Sequence, residues 1–203
     1  MMPESLKKLI QLISFLPGIW EKSATKLAFF LLNSNKNYLD TFAAQLQNIH
    51  SQIAKCEVCG TLVDKHKNIC SICENTSRKD DIICVVEEYL DMISIETANV
   101  FDGKYHILGW AISPMNWVFI WDLNFEKLFQ RIHDAHKNIE LIIATNPNIE
   151  WEATSMYIKE QIEKRWLKSF VKLTRLSRWL SSWYIEYADN ITLINSIKER
   201  KEI

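Results

Sequence analysis

Glycine is scarce in this chain. Its 203 residues include 4 glycines and 8 tryptophans, whereas an average soluble chain of this length would have roughly 14 glycines. Four of the tryptophans fall where a loop would favour glycine: Trp20 after Pro17-Gly18-Ile19, Trp110 after Gly109, and Trp117 and Trp121 among Pro, Asn and Asp residues. A bulky indole is costly wherever the backbone needs a positive φ. Two interpretations compete: an aromatic-rich surface that stacks on bases, or tryptophans that stand where the protein has glycine.

The sequence also lacks long apolar runs, a secretory start and an excess of charge. No apolar stretch reaches the roughly 18 residues of a membrane span, and Met1-Met2-Pro3-Glu4-Ser5 lacks the basic-then-apolar order of a signal peptide. The net charge is -1 and the pI is near 6.5, so any nucleic-acid contact must come from a local patch. We expect a soluble, cytoplasmic protein with no membrane partner.

Four of the 5 cysteines form two Cys-x-x-Cys pairs, Cys56 with Cys59 and Cys70 with Cys73. Pairs this close along the chain can close a tetrahedron around Zn²⁺, which is the geometry of structural zinc sites. Because four protein ligands leave no position for water, we expect the zinc to be structural, one ion per chain. A redox dithiol is the alternative. Cys84 lies in a buried-strand pattern and is expected in the core.

The N-terminal residues predict two helices joined by a Pro-Gly turn. Apolar residues recur at helical spacing before and after Leu16-Pro17-Gly18-Ile19, and a third helix follows over 37–54. This is the outline of a helix-hairpin-helix module, in which glycine lets backbone N–H groups meet a DNA phosphate. Lys22 and Lys26 would share one helix face and reach the same run of phosphates. An ordinary helical pair with solvated lysines is the alternative.

From residue 81 onward, strands alternate with helices. Buried-strand patterns cover 81–87, 104–108, 141–145 and 170–176, with helices predicted over 89–97, 125–136 and 152–163. This alternation predicts an α/β domain with a mostly parallel sheet. In the tail, a short strand is expected to lead to an Asp-capped helix that packs on the sheet or on another subunit.

Three acids follow the strands of this sheet. Glu87 closes the first strand, and Glu150 and Glu152 follow the third. The carboxyl ends of strands are where open α/β sheets bind ligands. Helix caps and solvated side chains are the alternative interpretation of these acids.

The chain resembles the bacterial recombination mediator RecR along essentially its whole length. The residues that carry the resemblance are Leu16-Pro17-Gly18-Ile19 with Lys22-Ser23-Ala24, the four paired cysteines, Ile83-Cys84-Val85-Val86-Glu87, Leu108-Gly109 with Ala111-Ile112-Ser113-Pro114, Ala144-Thr145-Asn146-Pro147 with Glu150 and Glu152-Ala153-Thr154, Thr174-Arg175-Leu176, and Glu186-Tyr187-Ala188-Asp189. The resemblance implies a multi-module α/β protein. Its modules are a helix-hairpin-helix over 1–54, a four-cysteine zinc finger over 55–75, a Toprim domain over 81–177, and a C-terminal oligomerisation segment over 178–203.

The resemblance also implies a function. RecR proteins bind single-stranded or gapped DNA, assemble into a ring expected to be a tetramer, and work with RecO and RecF to load RecA. Lys22 and Lys26 match the family's DNA-binding positions, and Glu87 with Glu150 or Glu152 matches acidic positions that contact a partner. We therefore expect a nucleoid-associated DNA-repair protein that is not an enzyme.

Two other functions are weighed against this one. A Mg²⁺-dependent Toprim nuclease or topoisomerase would pair a strand-end Glu with Asp-x-Asp, whereas this chain has Thr145-Asn146-Pro147-Asn148. A zinc-ribbon regulator that binds nucleic acid would explain the cysteines but not the α/β segment. The resemblance to RecR accounts for both the cysteines and the α/β segment.

The resemblance finally implies glycine at positions where this sequence has tryptophan. RecR sequences have glycine opposite Trp20, Trp110, Trp117 and Trp151, and glycine is expected opposite Trp179 and Trp183; Trp121 and Trp166 align with glycine less closely. We hypothesise that the source reads UGA codons as glycine and that these codons were translated as tryptophan. A single UGG among the eight would count heavily against the hypothesis.

Overall fold

A computed structural model of the chain describes residues 2–145, 149–177 and 185–203. The chain divides into two compact units, Met1–Gln52 and Ile53–Ile203. Within the described ranges, no helix combines the length and the apolarity that a membrane span requires.

The first unit consists of three helices, α1 (Glu4–Ser14), α2 (Glu21–Asn33) and α3 (Lys36–Gln52). Ala24 and Ala28 of α2 are fully buried and pack with Ile10 of α1. Alanine at these positions lets the two helix backbones approach each other closely. The helix, turn and helix predicted from the spacing of apolar residues are confirmed.

Helix α3 buries none of its residues within the chain. Its apolar line is present as predicted, but Phe42, Leu46 and Ile49 are between 44% and 56% exposed. An apolar stripe of this length on a surface marks an interaction site more often than a solvated face. The predicted end of α3 at residue 54 is wrong, because Ile53 and Ala54 belong to a strand.

The second unit begins with a zinc-finger-like hairpin whose two short strands the sequence does not predict. Strands β1 (Ile53–Lys55) and β2 (Leu62–Asp64) pair antiparallel, and a single turn of helix, α4 (Ser71–Glu74), follows. Three-residue strands carry too little periodicity to be recognised among cysteines and charged residues. We call the segment 53–75 the cysteine hairpin.

The rest of the second unit is a five-stranded sheet with helices on both faces. Its strands are β3 (Ile82–Val86), β4 (Lys104–Ile107), β5 (Ile139–Ile143), β6 (Val171–Arg175) and β7 (Lys201–Glu202), in the order β4-β3-β5-β6-β7. The first four are parallel and β7 is antiparallel to β6. The helices are α5 (Tyr89–Thr97), α6 (Phe125–Asp134), α7 (Ile149–Lys164) and α8 (Asn190–Lys198). The predicted α/β domain is confirmed.

Strand β3 is apolar along its whole length, and β5 is interrupted only by Glu140, because helices cover both sides of the sheet. Ile83 and Val85 of β3 contact the core that includes Leu128 of α6. Cys84 and Val86, which point the other way, contact the core that contains Ile95 of α5 and Leu193 of α8. Cys84 is buried there, as expected.

The C-terminal segment packs on the sheet. Asp189 caps α8 by accepting a hydrogen bond of 3.0 Å from the Thr192 N–H, and Arg200 donates to both carboxylate oxygens of Glu140 at 2.5 and 2.8 Å. The tail therefore contains a helix and a strand, but the strand, β7, follows the helix. Where a strand was expected before it, residues Ile185–Tyr187 form a 3-10 turn, and residues 181–184 lie outside the described ranges.

Candidate metal centre and nucleic-acid interface

The four paired cysteines meet at one point in the cysteine hairpin. Their sulfur atoms all lie within 4.8 Å of one another, and Cys59 Sγ is 3.6 Å from Cys70 Sγ. Cys56, Cys59 and Cys70 are buried, and Cys73 is half-buried. The cluster can hold a metal ion, since sulfur atoms around a tetrahedral zinc with Zn–S of roughly 2.3 Å lie about 3.8 Å apart. Thiolate ligands in this number favour zinc or an iron–sulfur centre over hard cations.

Backbone N–H groups surround the sulfurs and stabilise negative charge on them. The Cys70 N–H donates to Cys56 Sγ at 3.3 Å, and the Cys73 N–H donates to Cys70 Sγ at 3.4 Å. The hydrogen bond between Cys59 and Cys70 raises the pKa of Cys59 far above its usual range and lowers the pKa of Cys70 to about 2. A thiolate is therefore favoured at Cys70, and the thiolate is the form that binds metal.

A tight turn at Gly60 brings Cys56 and Cys59 together. The Gly60 N–H donates to the Cys56 carbonyl at 3.0 Å, and Gly60 has a φ of +79°. A Cβ at Gly60 would lie 3.0 Å from the Ile107 carbonyl oxygen. Glycine is therefore required here both by the backbone conformation and by the close approach of β4.

A buried lysine of the sheet fastens the cysteine hairpin to β4. The ammonium group of Lys104 donates to the carbonyl oxygens of Ile72 at 2.7 Å, Cys73 at 3.1 Å and Asn75 at 2.6 Å. These carbonyls end the single turn of α4, and a cation is well placed at the C-terminal end of a helix. The Ile107 N–H adds a bond of 2.8 Å to the Cys59 carbonyl. The role of Lys104 could not be predicted from the sequence, because its partners lie about thirty residues away along the chain.

Substitution of Lys104 by methionine tests this connection. Methionine preserves the buried stem and removes three charge-assisted hydrogen bonds, leaving the carbonyls at the end of α4 without a donor. We expect a loss of roughly 2–4 kcal/mol in the free energy of unfolding, measured by urea denaturation, and faster release of bound zinc to a chelator.

Lys172→Met is the matched control, because Lys172 is an exposed lysine on β6 of the same sheet. It is expected to leave both the unfolding free energy and the zinc release rate close to those of the unmodified chain. Equal stability of the two variants would show that the Lys104 contacts do not support the cysteine hairpin.

The two candidate DNA-binding lysines lie on α2, directly after the hairpin turn. Gly18 has a φ of +77° and nothing within 4 Å of the place where its Cβ would be, so glycine is required there by conformation and not by crowding. Lys22 and Lys26 are exposed, whereas Ala24 and Ala28 of the same helix are buried against α1. The structure therefore directs both ammonium groups to solvent from the first turns of α2, near its positive N-terminal end.

The candidate acids occupy the carboxyl edge of the sheet. Glu87 follows β3 and is half-buried. The carboxylate of Glu150, at the start of α7, accepts hydrogen bonds from Ser113 Oγ and, at 3.4 Å, from Asn116 Nδ2. Glu150 thus anchors the loop after β4. Glu152 is exposed and lies 3.3 Å from Arg175. Since β3 and β5 are adjacent and parallel, all three acids belong to one edge.

Two further acids, Glu88 and Asp91, lie at this edge and were not predicted from the sequence. Burial, reinforced by Glu186, raises the pKa of Glu88. Burial also raises the pKa of Asp91 to about 6, with Glu88 and Glu186 adding to the shift. The Asp91 carboxylate accepts a bond of 3.0 Å from the Glu88 N–H, which is the contact that the third helical residue makes with the N-cap in a capping box.

The catalytic alternative depends partly on residues outside the described ranges. Asn146-Pro147-Asn148, which replaces the Asp-x-Asp of catalytic Toprim enzymes, is among them. The sequence places an amide at the first of these positions, and an amide carries no charge with which to attract Mg²⁺.

Two family models match the chain. The model described as "RecR, helix-hairpin-helix" matches residues 6–50, and the model described as "Toprim domain" matches residues 81–177. The cysteine cluster lies between the two matched segments.

Proposed function

This chain belongs to the RecR family, and from that premise we propose that it acts with RecO and RecF to load RecA onto gapped or single-stranded DNA. A role as a recombination mediator follows from the family itself. The observation that carries the proposal is the order of the modules, in which a RecR-type helix-hairpin-helix precedes a four-cysteine cluster and a Toprim domain.

DNA binding in this proposal belongs to α2. The exposed ammonium groups of Lys22 and Lys26 would neutralise neighbouring phosphates, and the turn at Gly18 would let backbone N–H groups approach the strand. Contacts of this kind read the DNA backbone and not its sequence. A mediator that acts at any gap needs binding of that kind.

Partner contact in this proposal belongs to the acidic edge of the Toprim sheet. Glu87, Glu150 and Glu152 lie there together with Glu88 and Asp91. An acidic edge suits a partner with a basic surface, because complementary charge speeds association and selects the partner. RecO is the partner that we assign to it, and RecF is expected to share the same region.

We further propose that the protein is not an enzyme. The Glu150 carboxylate is engaged by Ser113 and Asn116, and Glu152 is paired with Arg175. Acids held in this way support a loop and a surface, whereas two-metal phosphoryl chemistry needs carboxylates that converge on Mg²⁺.

Zinc and oligomerisation complete the proposal. We assign structural Zn²⁺ to Cys56, Cys59, Cys70 and Cys73, because a closed set of four thiolates suits zinc. The exposed apolar line of α3 supports assembly with further copies of this chain, for which we propose a tetrameric ring. Such a ring would work on DNA in the cytoplasm, at the nucleoid.

A RecA-loading assay tests this function. Gapped circular DNA is coated with single-strand-binding protein, and RecA filament formation is followed by its ATPase activity. We expect this chain together with RecO to shorten the lag before RecA assembles, and neither protein alone to do so.

A variant with Glu150→Gln and Glu152→Gln keeps the side-chain shapes and removes two charges of the acidic edge. It should bind DNA normally but lose the cooperation with RecO. If the unmodified chain leaves the RecA lag unchanged with both RecO and RecF present, the proposed function is wrong.

A further inference from the structure

Four residues other than glycine have a positive φ in the described ranges, and two of them are tryptophans. They are Asn99 at 51°, Trp117 at 58°, His136 at 48° and Trp166 at 59°. Asparagine and histidine are enriched in this left-handed region, whereas a bulky side chain there is an outlier. The two tryptophans therefore stand out by residue type and not by backbone conformation.

Trp166 occupies a position that favours glycine above any other residue. It ends α7 with two hydrogen bonds, from the Trp166 N–H to the Glu163 carbonyl at 3.1 Å and from the Leu167 N–H to the Ile162 carbonyl at 3.0 Å. These bonds define a Schellman motif with Trp166 as its left-handed residue. Leu167 and Ile162 are both in the core cluster, which supplies the apolar contact that accompanies the motif.

The other helix ends provide an internal comparison. Helices α5 and α6 also end on a left-handed residue in the same place, one position after the C-cap, and these residues are Asn99 and His136. Both types tolerate the conformation. At the end of α7 the same backbone carries an indole.

Trp117 closes a tight turn. Ser113 and Val118 form an antiparallel bridge through two bonds of 3.0 Å, and Trp117 is the last residue of the loop between them. A left-handed residue that follows a turn of this kind and leads into a bridge is typically glycine. Packing of the indole does not offset the cost of this backbone conformation, because the side chain is 82% exposed.

The other tryptophans whose side chains the structure describes are unusual in a second way, because they are exposed to solvent. The side chains of Trp20, Trp110, Trp117, Trp121 and Trp166 are between 47% and 87% exposed, although tryptophan is usually highly buried on average. The side chain of Trp151, and both Trp179 and Trp183, lie outside the part of the chain that the structure describes. No described indole contributes to either core of the sheet.

We infer that residues 117 and 166 are glycines in the protein that the cell makes. The inference rests on backbone conformation and burial, so it does not depend on the alignment with RecR. It also has a consequence for DNA binding, because two of the exposed indoles that could stack on bases are then absent.

The codons and the natural protein decide the identity of these residues. We expect UGA at positions 117 and 166, and we expect mass spectrometry of the protein isolated from its source to give a peptide containing residue 166 with the mass of glycine. A UGG codon at either position, or a peptide with the mass of tryptophan, overturns the inference.

Stability of the recombinant chain tests the physical basis independently. Trp166→Gly removes the Cβ that the left-handed backbone disfavours, so its Tm should exceed that of Trp166→Ala by about 2–4 °C or more. The matched control is the same pair of substitutions at residue 121, which lies in a 3-10 turn and is not among the residues with a positive φ. There the Tm of Trp121→Gly should not exceed the Tm of Trp121→Ala. Equal Tm values for Trp166→Gly and Trp166→Ala would contradict the argument from conformation.

Discussion

Replacement of Cys70 by serine is expected to abolish zinc binding and to unfold the cysteine hairpin. Cys70 lies at the centre of the cluster: its sulfur is 3.6 Å from that of Cys59, and it accepts the N–H of Cys73 at 3.4 Å. A serine hydroxyl does not ionise at neutral pH and is a poor zinc ligand. Since structural zinc contributes roughly 10–16 kcal/mol of apparent binding energy in isolated fingers, loss of one ligand should have a large effect.

Metal content measured by mass spectrometry gives the result directly. We expect one zinc per chain before substitution, almost none in Cys70→Ser, and rapid proteolysis within residues 53–75 of the variant. Cys84→Ala is the control, since Cys84 is buried in the sheet and is not part of the cluster; it should retain one zinc. Retention of zinc by Cys70→Ser would show that the cluster is not the metal site.

Substitution of Lys22 and Lys26 by alanine is expected to weaken binding to gapped DNA by roughly tenfold per lysine at low salt. Each ammonium that neutralises a phosphate releases a counterion, so each loss should reduce the slope of log K against log salt by about 1. Fluorescence anisotropy over a range of salt concentrations measures both quantities. The two substitutions together should nearly abolish binding at physiological salt.

Lys8→Ala serves as the control for this experiment, because Lys8 is an exposed lysine on α1 of the same unit. It removes the same charge from a helix that does not follow the hairpin turn. Similar losses for Lys8→Ala and Lys22→Ala would indicate diffuse attraction, and an unchanged salt slope in the double variant would contradict phosphate contact by these lysines.

The α/β domain was predictable because its two central strands, β3 and β5, are largely apolar. Strand β3 reads Ile-Ile-Cys-Val-Val, and such a run between helical segments is typical of a parallel strand covered on both faces. The short strands β1, β2 and β7 were not predicted, because that signal is absent from them. Strands β1 and β2 are three residues long, and β7 contains only a lysine and a glutamate, so no periodicity distinguishes them from loops.

The candidate site was predictable only where its residues are close along the chain. The cysteines predict a metal site, because two Cys-x-x-Cys pairs this close together are rare without one. Lys104 could not be found, since a lysine on a strand carries no sign that its ammonium reaches the carbonyls of α4. The role of Glu150 was likewise beyond the sequence, because its partners Ser113 and Asn116 lie in a distant loop.

The tryptophans show how sequence and structure act together. Composition raises the question, through 4 glycines and 8 tryptophans, but it does not say which positions need glycine. The positive φ values identify residues 117 and 166 as positions that favour glycine. Residue 166 is one of the two tryptophans, with Trp121, that align less closely with glycine in RecR sequences.

The most direct test of a DNA-binding mediator without catalytic activity is incubation of the purified chain with gapped and intact plasmid in the presence of Mg²⁺. Mobility of the complexes reports binding, and denaturing electrophoresis of the same samples reports strand cleavage. We predict preferential binding to the gapped plasmid with every strand left at its original length. Mg²⁺-dependent nicking, or equal binding to both plasmids, would contradict the account.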